Sequence, residues 1–371
     1  MANKHFMNRA LTLAARGKGQ TTPNPLVGAV IANRGKIVGE GYHAQAGRPH
    51  AEIIALQQAK QLAAGATLYI NLEPCCHYGR TPPCTKAIIE SGIKRVVLAM
   101  LDPNPLVSGK GKEELIRAGI PVETGLMAQQ AYQLNEVFIK YITTQRPFVI
   151  LKAAISLDGK LATASGQSRW ITGIQSRQMS HQLRQEVDAI LIGKGTVLAD
   201  DPLLTVRLPE VKAKNPIKVV VDSTLEIPLE AKIFSAQSPA STIVATLRHA
   251  PREKIKQLEE RGIRVLILPE KDQRVDLAEL MQILAQEEVA SIMIEGGAEI
   301  NATALQLGIV DKVIFFIAPI IIGGKSAPGV LGGTGFPDLK KAVRLEKIQI
   351  KKLGRDYMLQ GYIRQTTVSS K

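Results

Sequence analysis

Cysteine is scarce in this sequence, and long apolar runs are missing. The cysteines are Cys75, Cys76 and Cys84, three among 371 residues and all within one short stretch. An odd, clustered set of thiols argues against a disulfide framework and favours metal ligation in a reducing compartment, so we expect a cytoplasmic protein. The longest apolar run, 313–322, is about half of the ~20 residues that span a bilayer. We therefore expect no membrane partner, and the start of the chain lacks the uninterrupted apolar core of a signal peptide.

Aromatic residues are also few, at 4% of the chain, whereas basic residues are in excess. With 47 Lys and Arg against 33 Asp and Glu, the formal charge of +14 favours an anionic partner. The charge alone does not choose among nucleic acid, a membrane surface and a phosphorylated small molecule. Few aromatic side chains leave few platforms on which unpaired bases could stack, so we expect a phosphorylated small molecule and no nucleic acid.

The familiar glycine-rich fingerprints of nucleotide binding are absent. No G-x-G-x-x-G motif stands at a predicted strand-to-helix junction. Gly324-Lys325-Ser326 resembles the end of a P-loop, but Pro319 occupies the position where the first glycine is required. Any phosphate groups must therefore be held in another way.

The length of the chain predicts two domains, since one domain usually takes roughly 150 residues. Both halves alternate strand and helix patterns, which is typical of α/β folds. The segment 143–147 separates the last helix of the first half from a new apolar strand, so we place the domains at 1–146 and 147–371. In the first half the pattern predicts a hairpin of strands 27–32 and 37–42, strands 67–72, 95–100 and 121–124, and helices 50–63, 84–91 and 111–118 before one last helix. In the second half it predicts strands 148–155, 189–193, 218–222, 242–246, 264–268, 291–295 and 313–318.

Four residues in the first half have the composition of a catalytic zinc site. His50 opens a predicted helix, Cys75 follows a strand, and Cys84 begins another helix. One imidazole and two thiolates make three zinc ligands and leave the fourth position for water, which the metal converts to a nucleophilic hydroxide. Glu52, two residues beyond His50, is then free to carry a proton to a departing amine, as in the H-x-E signature of zinc deaminases.

A structural explanation of the same residues is that the cysteines are small buried side chains and His50 a loop histidine. Isolated Cys and His residues rarely occur together with Glu52 at this offset, so the metal site is favoured. Cys76 could replace Cys75 as a ligand, but the junction of Pro74 with Cys75 favours Cys75. The eight residues between Cys75 and Cys84 depart from the commoner P-C-x-x-C spacing.

Four further segments of the first half are TTPNPLVGAV, HAQAGRPHAE, NLEPCCHYGRTPPC and DPNPLVSGKG. Together these motifs resemble the deaminase domain of the RibD family of bifunctional riboflavin biosynthesis enzymes. The resemblance implies a cytidine-deaminase-like three-layer α/β/α domain with one Zn²⁺. It implies hydrolytic removal of the 2-amino group of 2,5-diamino-6-(5-phosphoribosylamino)pyrimidin-4(3H)-one. It also places Asn24, His43, Asn71 and the 102–105 loop around that substrate.

The second half resembles the reductase domain of the same family, whose α/β fold is similar to dihydrofolate reductase. The resemblance is carried by KAAISLDG at 152–159, SGQSRWIT at 165–172, TVLADDPLLTVR at 196–207 and EGG at 295–297. Glycines between a strand and a helix let a phosphate approach the helix N–H groups. By resemblance, the NADPH site is lined by Ala154, Trp170, Thr196, Asp200, Ser223 and Gly297. The same resemblance gives Ser168, Arg184, Leu204, Arg207 and Glu295 as residues that bind the phosphoribosyl substrate.

Together the two resemblances imply deamination followed by NADPH-dependent reduction of the ribosyl side chain, giving 5-amino-6-(5-phosphoribitylamino)uracil. Arg184 and Arg207 can each pair with a phosphate bidentately, a task that favours Arg over Lys. Water, Lys152 and Asp200 all remain possible proton donors for the reduction.

A homo-oligomer is expected. A nucleic-acid-binding or RNA-editing protein is the alternative hypothesis, suggested by the positive charge and the deaminase-like site.

Overall fold

In the computed structural model, the first of two units is built around a five-stranded sheet in the order β2-β1-β3-β4-β5. The structure describes residues 3–78, 82–105, 107–208, 214–235 and 241–364. The two units are Met1–Arg146 and Pro147–Lys371. The strands of the first unit are β1 Gly28–Asn33, β2 Lys36–Tyr42, β3 Thr67–Leu72, β4 Arg95–Met100 and β5 Val122–Thr124. Its helices are α1 Lys4–Ala14, α2 Ala51–Ala59, α3 Cys84–Glu90, α4 Lys110–Arg117, α5 Ala128–Leu134 and α6 Glu136–Thr144, with short 3₁₀ turns at Ala15–Gly17 and Lys60–Ala63.

Both faces of this sheet are covered by helices. On β1, Ala29 and Ile31 face the core beneath α2, α3 and α4, whereas Val30 and Ala32 face the core beneath α1 and α5. Successive strand residues point to opposite faces, so near-continuous apolar strands are what a doubly covered sheet requires. The pairs β1–β2 and β1–β3 are antiparallel and the pairs β3–β4 and β4–β5 are parallel. The predicted three-layer domain with an antiparallel start is confirmed.

The second unit contains a nine-stranded sheet in the order β10-β9-β8-β7-β13-β6-β14-β16-β15, with a separate two-stranded β11–β12 ribbon. Neighbours from β10 to β14 run parallel, and the β15–β16 hairpin adds antiparallel strands at one end. The strands are β6 Phe148–Ser156, β7 Ala189–Gly193, β8 Ile217–Val221, β9 Thr242–Leu247, β10 Arg264–Leu268, β11 Glu270–Lys271, β12 Arg274–Val275, β13 Ser291–Ile294, β14 Lys312–Ala318, β15 Leu345–Leu353 and β16 Asp356–Ile363. The helices are α7 Ile174–Glu186, α8 Lys194–Asp200, α9 Arg252–Glu260, α10 Leu277–Gln286 and α11 Ala298–Gln306, with a 3₁₀ turn at Lys232–Phe234.

The apolar core of the second unit packs α10 and α11 against one face of the central strands. Leu280 and Leu284 of α10 are fully buried against Leu151, Leu191 and neighbouring strand residues. β7 and β13 pair in parallel, so their carboxyl ends lie together. β7 leads directly into α8, and β13 leads into α11 after residues 295–297. The edge at which parallel strands end is where ligands bind in open α/β sheets.

Three predictions of secondary structure need correction. The helix predicted at 50–63 is α-helical only over Ala51–Ala59, and His50 is its N-cap. The single last helix of the first half is two helices, because Asn135 breaks the pattern with backbone that is not helical. The β15–β16 hairpin was not predicted, since β15 is exposed along most of its length and has no buried apolar face.

Within the described part of the chain, no helix combines the length and the apolar character needed to cross a bilayer.

Candidate functional site

The candidate metal site of the first unit is assembled from three junctions between elements. His50 caps the start of α2, Cys75 follows β3, and Cys84 is the first residue of α3. His50 Nδ1 lies 3.2 Å from Cys84 Sγ and 3.5 Å from Cys75 Sγ. Their ligand atoms all lie within 4.8 Å of one another, so the three residues fit one metal ion. Cys76 is outside this cluster.

Charge and hydrogen bonding in the cluster suit a divalent cation. Hydrogen bonds from Cys84 and His50 lower the pKa of Cys75 to about 4, although burial opposes this. The pKa of the Cys84 thiol is raised, first by its hydrogen bond to Cys75 and then by burial. A second thiolate is therefore unfavourable beside the first unless a cation lies between them, and Zn²⁺ meets that requirement.

Glu52 points into the same region from the first turn of α2. It is 3% exposed, and its Oε2 is buried without a hydrogen-bond partner among the described residues. Burial and the neighbouring Cys75 raise the pKa of this carboxyl to about 7. An orphaned, buried carboxyl oxygen beside a His/Cys/Cys cluster is what a proton-carrying group next to a metal requires.

Of the residues that the resemblance placed around the pyrimidine, Asn24 and His43 lie beside the metal cluster, whereas the side chain of Asn71 binds the main chain. Asn24 Nδ2 lies 3.1 Å from His43 Nε2, while His43 Nδ1 lies 3.2 Å from the carbonyl of Pro49. Since the Asn24 amide donates, the His43 proton is assigned to Nδ1, and burial lowers the pKa of this imidazole. The rings of His43 and His50 pack edge to face at 5.4 Å, so His43 borders the metal cluster.

The side chain of Asn71 forms hydrogen bonds to main-chain groups. It is fully buried, its Oδ1 accepts the Gly28 N–H at 2.7 Å, and its Nδ2 donates to the Leu26 carbonyl at 2.8 Å. Asn135 holds the same residue, because its Oδ1 accepts the Leu26 N–H at 2.8 Å. No signal in the sequence pointed to Asn135, which lies 109 residues away in the chain.

In the second unit, the strongest cluster is a buried ion triad. The guanidinium of Arg184 binds both carboxylate oxygens of Glu295, at 2.8 and 2.7 Å, and Lys152 Nζ lies 3.4 Å from Glu295 Oε2. Side-chain exposure is 11% for Lys152 and 8% for Glu295. Burial alone would raise the pKa of Glu295, but the two cations outweigh it and hold the pKa well below its usual range.

This triad changes the task expected of Arg184. Its bidentate face is engaged by Glu295 and its Nη1 donates to the Thr205 carbonyl at 3.2 Å, so it is not free to pair bidentately with a phosphate. Arg207 is less constrained. Its Nη1 donates to Thr205 Oγ1 at 3.2 Å, and its main-chain N–H donates to His181 Nδ1 at 3.2 Å. Sequence patterns gave no sign of His181, and Thr205, although inside the 196–207 motif, was not assigned a role.

Arg207 and Leu204 also line a cleft of about 480 Å³. Leu204 is buried and has a positive φ of 52°. The other described lining residues are Leu203, Thr205, Val206, Asn215, Pro216, Lys218, Ser235 and Ser241.

Two helix starts lie side by side at the strand ends and suit a diphosphate. Gly193 and Gly297 are the N-caps of α8 and α11, which follow the paired strands β7 and β13. Thr196 Oγ1 is buried without a described hydrogen-bond partner, and a Cβ on Gly297 would lie 3.6 Å from it. At Gly296 a Cβ would approach the Ile300 Cγ2 methyl to 1.8 Å, so any larger residue there would require Ile300 to move. Exposed N–H groups and an orphaned hydroxyl fit the phosphate groups of NADPH.

The remaining predicted residues of the second unit lie at separate points. Ser168 Oγ donates to Asp200 Oδ1 at 2.8 Å, which joins a predicted substrate residue to a predicted NADPH residue. Trp170 is 68% exposed, and the Arg177 guanidinium lies 4.4 Å from its ring centre. Two others have partners outside the predicted set. Ala154 pairs with Phe316 across β6 and β14, and the Ser223 hydroxyl accepts the Val275 N–H at 3.2 Å.

Fold and sites define a class: a zinc-type deaminase unit joined in one chain to a reductase unit. Two family models match, the cytidine and deoxycytidylate deaminase zinc-binding region over residues 1–100 and the RibD C-terminal domain over 147–359. The chain belongs to the RibD family, the bifunctional deaminase and reductase enzymes of riboflavin biosynthesis. Its cofactors are Zn²⁺ and NADPH.

Curated relatives and solved structures match over nearly the whole chain. The riboflavin biosynthesis protein RibD of Aquifex aeolicus is 47% identical over 357 residues, covering 96% of this chain and 97% of the relative. RibD of Escherichia coli is 42% identical and covers 97% and 99%. Acinetobacter baumannii RibD has a TM-score of 0.87 at 38% identity, covering 98% and 99%. The diaminohydroxyphosphoribosylaminopyrimidine deaminase/5-amino-6-(5-phosphoribosylamino)uracil reductase of Thermotoga maritima has a TM-score of 0.84 at 35% identity, covering 97% and 98%.

Proposed function

We propose that the first unit deaminates 2,5-diamino-6-(5-phosphoribosylamino)pyrimidin-4(3H)-one and that the second unit reduces the deaminated ribosyl compound with NADPH. The single observation that carries this assignment is the convergence of His50, Cys75 and Cys84 beside the buried Glu52. The Thermotoga maritima relative, whose name gives both activities, supports the choice of substrates.

In the deaminase reaction, His50, Cys75 and Cys84 hold the metal and Glu52 moves the proton. Zn²⁺ held by these donors supplies Lewis-acid activation of the water that attacks the pyrimidine. The unpartnered Oε2 of Glu52 takes a proton and passes it to the departing amino group, so that water and substrate become ammonia and a carbonyl. A pKa of about 7 lets the carboxyl exchange that proton in either direction.

His43 and the 102–105 segment recognise the pyrimidine in this proposal. The neutral imidazole of His43, held by Asn24 and Pro49, keeps a fixed tautomer beside the metal cluster. Burial raises the pKa of Asp102 to about 6, which suits a group that meets a polar ring in a partly dehydrated site.

In the reductase reaction, the two helix starts and Thr196 hold the cofactor. NADPH supplies the hydride that converts the ribosyl carbon C1′ to the ribityl form. Gly297, Thr196 and Asp200 face the cofactor, with Ala154, Trp170 and Ser223 completing its surroundings. Ser168, Leu204 and Glu295 face the sugar, and Arg207 binds its phosphate.

Lys152 is our choice among the open proton donors. Burial lowers the pKa of its ammonium group despite the nearby Glu295 carboxylate, which makes it a better acid than an exposed lysine. Glu295, which is itself paired with Arg184, holds the Lys152 ammonium group at the carboxyl end of β13. Asp200, in contrast, already accepts a hydrogen bond from Ser168.

The same charge and composition support further proposals about partners. We assign the excess of Lys and Arg to binding of the phosphorylated pyrimidine and NADPH, with neither nucleic acid nor membrane as partner. A cytoplasmic homo-oligomer is proposed, and the three free cysteines, two of which form the thiol pair at the metal site, agree with a reducing compartment.

One assay tests the assignment by following ammonia release and NADPH oxidation separately on the diaminopyrimidine nucleotide. A chelator should abolish ammonia release and leave NADPH oxidation intact on substrate that has already been deaminated. If the chelator stops both reactions on their own substrates, or neither, the assignment of one metal-dependent site to the first unit is wrong.

A further inference from the structure

Glu73 is a buried carboxylate that no role assigned so far uses. It follows β3 directly, two residues before Cys75, and is 3% exposed. Its Oε2 accepts the Asp102 N–H at 3.0 Å and the Gly109 N–H at 2.9 Å, and its Oε1 accepts the Lys112 N–H at 2.9 Å. A buried carboxylate with three N–H donors is strongly held, because bonds to a charged acceptor are stronger than neutral ones.

The three donors stand at both ends of one connection. Asp102 begins the segment after β4, whereas Gly109 is the N-cap of α4 and Lys112 lies in its first turn. Glu73 therefore joins the start and the end of this connection and caps α4, which has no side-chain cap of its own. Within the segment, Asp102 Oδ1 accepts the Asn104 N–H at 2.8 Å, which fixes the turn that follows.

Close backbone packing fixes the same helix against the metal site. A Cβ on Gly111 would lie 2.3 Å from the Pro74 carbonyl oxygen, so α4 rests directly on the main chain between Glu73 and Cys75. Gly109 has a φ of +82°, a conformation that favours glycine. The Asp102 segment and the Cys75 ligand are therefore both positioned by one stretch of backbone, residues 73–75.

We propose that Glu73 is a positioning residue of the deaminase, setting the substrate-facing 102–105 segment at a fixed place relative to the metal ligands. This inference rests on the proposed function, in which that segment recognises the pyrimidine. Glu73 touches neither metal nor substrate. It acts on binding through Asp102 and leaves proton transfer to Glu52.

Glu73→Gln tests the proposal, because an amide has one acceptor oxygen and must turn its NH₂ group toward at least one N–H donor. For deamination we expect KM to rise ~10-fold or more, with kcat changed less than ~3-fold. This is the scale of effect seen for residues that hold a binding group in its correct orientation. Zinc content and reductase kinetics on deaminated substrate should match the unchanged chain. Amide hydrogen exchange, followed by mass spectrometry, should accelerate at residues 102–105 and 107–112.

Glu40→Gln is the matched control. It removes a carboxylate that pairs with Arg9 in the same unit, and neither residue belongs to the site. Both kinetic parameters and the exchange of residues 102–112 should stay unchanged in this variant. If E73Q does not fold, the same measurements on Glu73→Asp decide, since that variant keeps the charge but shortens the reach by one methylene.

The proposal is overturned if the folded, zinc-loaded variant keeps the original deaminase KM, if zinc is lost, or if reductase kinetics fall equally. Glu52→Gln separates this failure from failure of the proposed function. Loss of deamination in E52Q together with an unchanged KM in E73Q removes the role of Glu73 only. Unimpaired deamination in E52Q removes the proposed function itself.

Discussion

The two units hold their reactive groups in different ways. In the first unit, side chains from three nearby junctions converge on one point, and His50, Cys75 and Cys84 lie within 4.8 Å of one another. In the second unit, two helix starts offer backbone N–H groups, and a buried ion triad joins residues 111 and 143 positions apart in the chain. The first site is defined by residue types, and the second largely by backbone and long-range pairing.

This difference sets what a mutation should do. Loss of one side chain in the first unit removes a chemical step or a ligand and leaves the sheet untouched. Loss of Glu295 in the second unit leaves the Arg184 and Lys152 cations buried without a carboxylate, so folding and function fall together. The comparison can be tested by substitutions that differ in how far their effects should spread.

The largest effect is expected for Glu52→Gln in the first unit. The amide cannot carry the proton, so kcat for deamination should fall on the order of 10²–10⁴-fold. Zinc content, measured by atomic absorption, should stay at that of the unchanged chain, and reduction of deaminated substrate should continue at its original rate. Loss of both activities in a folded variant would contradict the separation of the two sites.

The next effect is expected for Glu295→Gln in the second unit. Arg184 and Lys152 would remain buried without a carboxylate, which costs about 3–5 kcal/mol when one partner of a buried pair is removed. Reductase activity should be lost and the melting temperature of the second unit should fall, as measured by calorimetry.

The pH dependence of Glu295 has a definite sign. Because its folded pKa lies below its unfolded value, the stabilisation is present above the unfolded pKa and is lost as pH falls toward the folded one. E295Q should therefore flatten the acid limb of the stability curve. A variant as stable as the unchanged chain at neutral pH would show that the triad is not a folding determinant.

Much of the fold followed from apolar periodicity, which tertiary packing then respected. Strands predicted at 67–72, 95–100, 189–193 and 264–268 coincide with β3, β4, β7 and β10, because these are short apolar runs with clear ends. The β15–β16 hairpin escaped the pattern. Ile348 and Ile350 are exposed at 54% and 65%, so no buried face imposes alternation on that strand.

The sites show the same limit. His50, Cys75 and Cys84 could be predicted together because their chemistry is unusual and lies within 35 residues of sequence. The pairing of Arg184 with Glu295 could not, since nothing in either segment specifies the other. Glu73 lies between these cases: a carboxylate directly before Pro74 and Cys75 was visible, but its three N–H partners at Asp102, Gly109 and Lys112 were not.

A smaller effect is expected for Arg207→Ala. Arg207 lines the cleft and is held by His181 and Thr205, outside the ion triad, so its loss should not destabilise the unit. We expect the KM of the reductase for its phosphorylated substrate to rise about 10-fold, the scale of one lost charged hydrogen bond. Kinetics on a dephosphorylated substrate provide the control and should change little. An unchanged KM would remove Arg207 from the phosphate site.

The smallest effect is expected at His181, where the structure predicts a neutral imidazole. Burial, with help from Arg184 and Arg207, lowers the pKa of His181 from its ordinary 6.5 to about 4. The unfolded chain therefore binds this proton first, and stability should fall as pH drops from about 6.5 toward 4. His181→Asn keeps an acceptor for the Arg207 N–H, so reductase KM should change less than ~3-fold, while melting temperature should depend less on pH across that window. If His181→Asn and the unchanged chain show the same dependence of melting temperature on pH across that window, His181 is protonated alike in the folded and unfolded chain, and the prediction of a neutral imidazole is wrong.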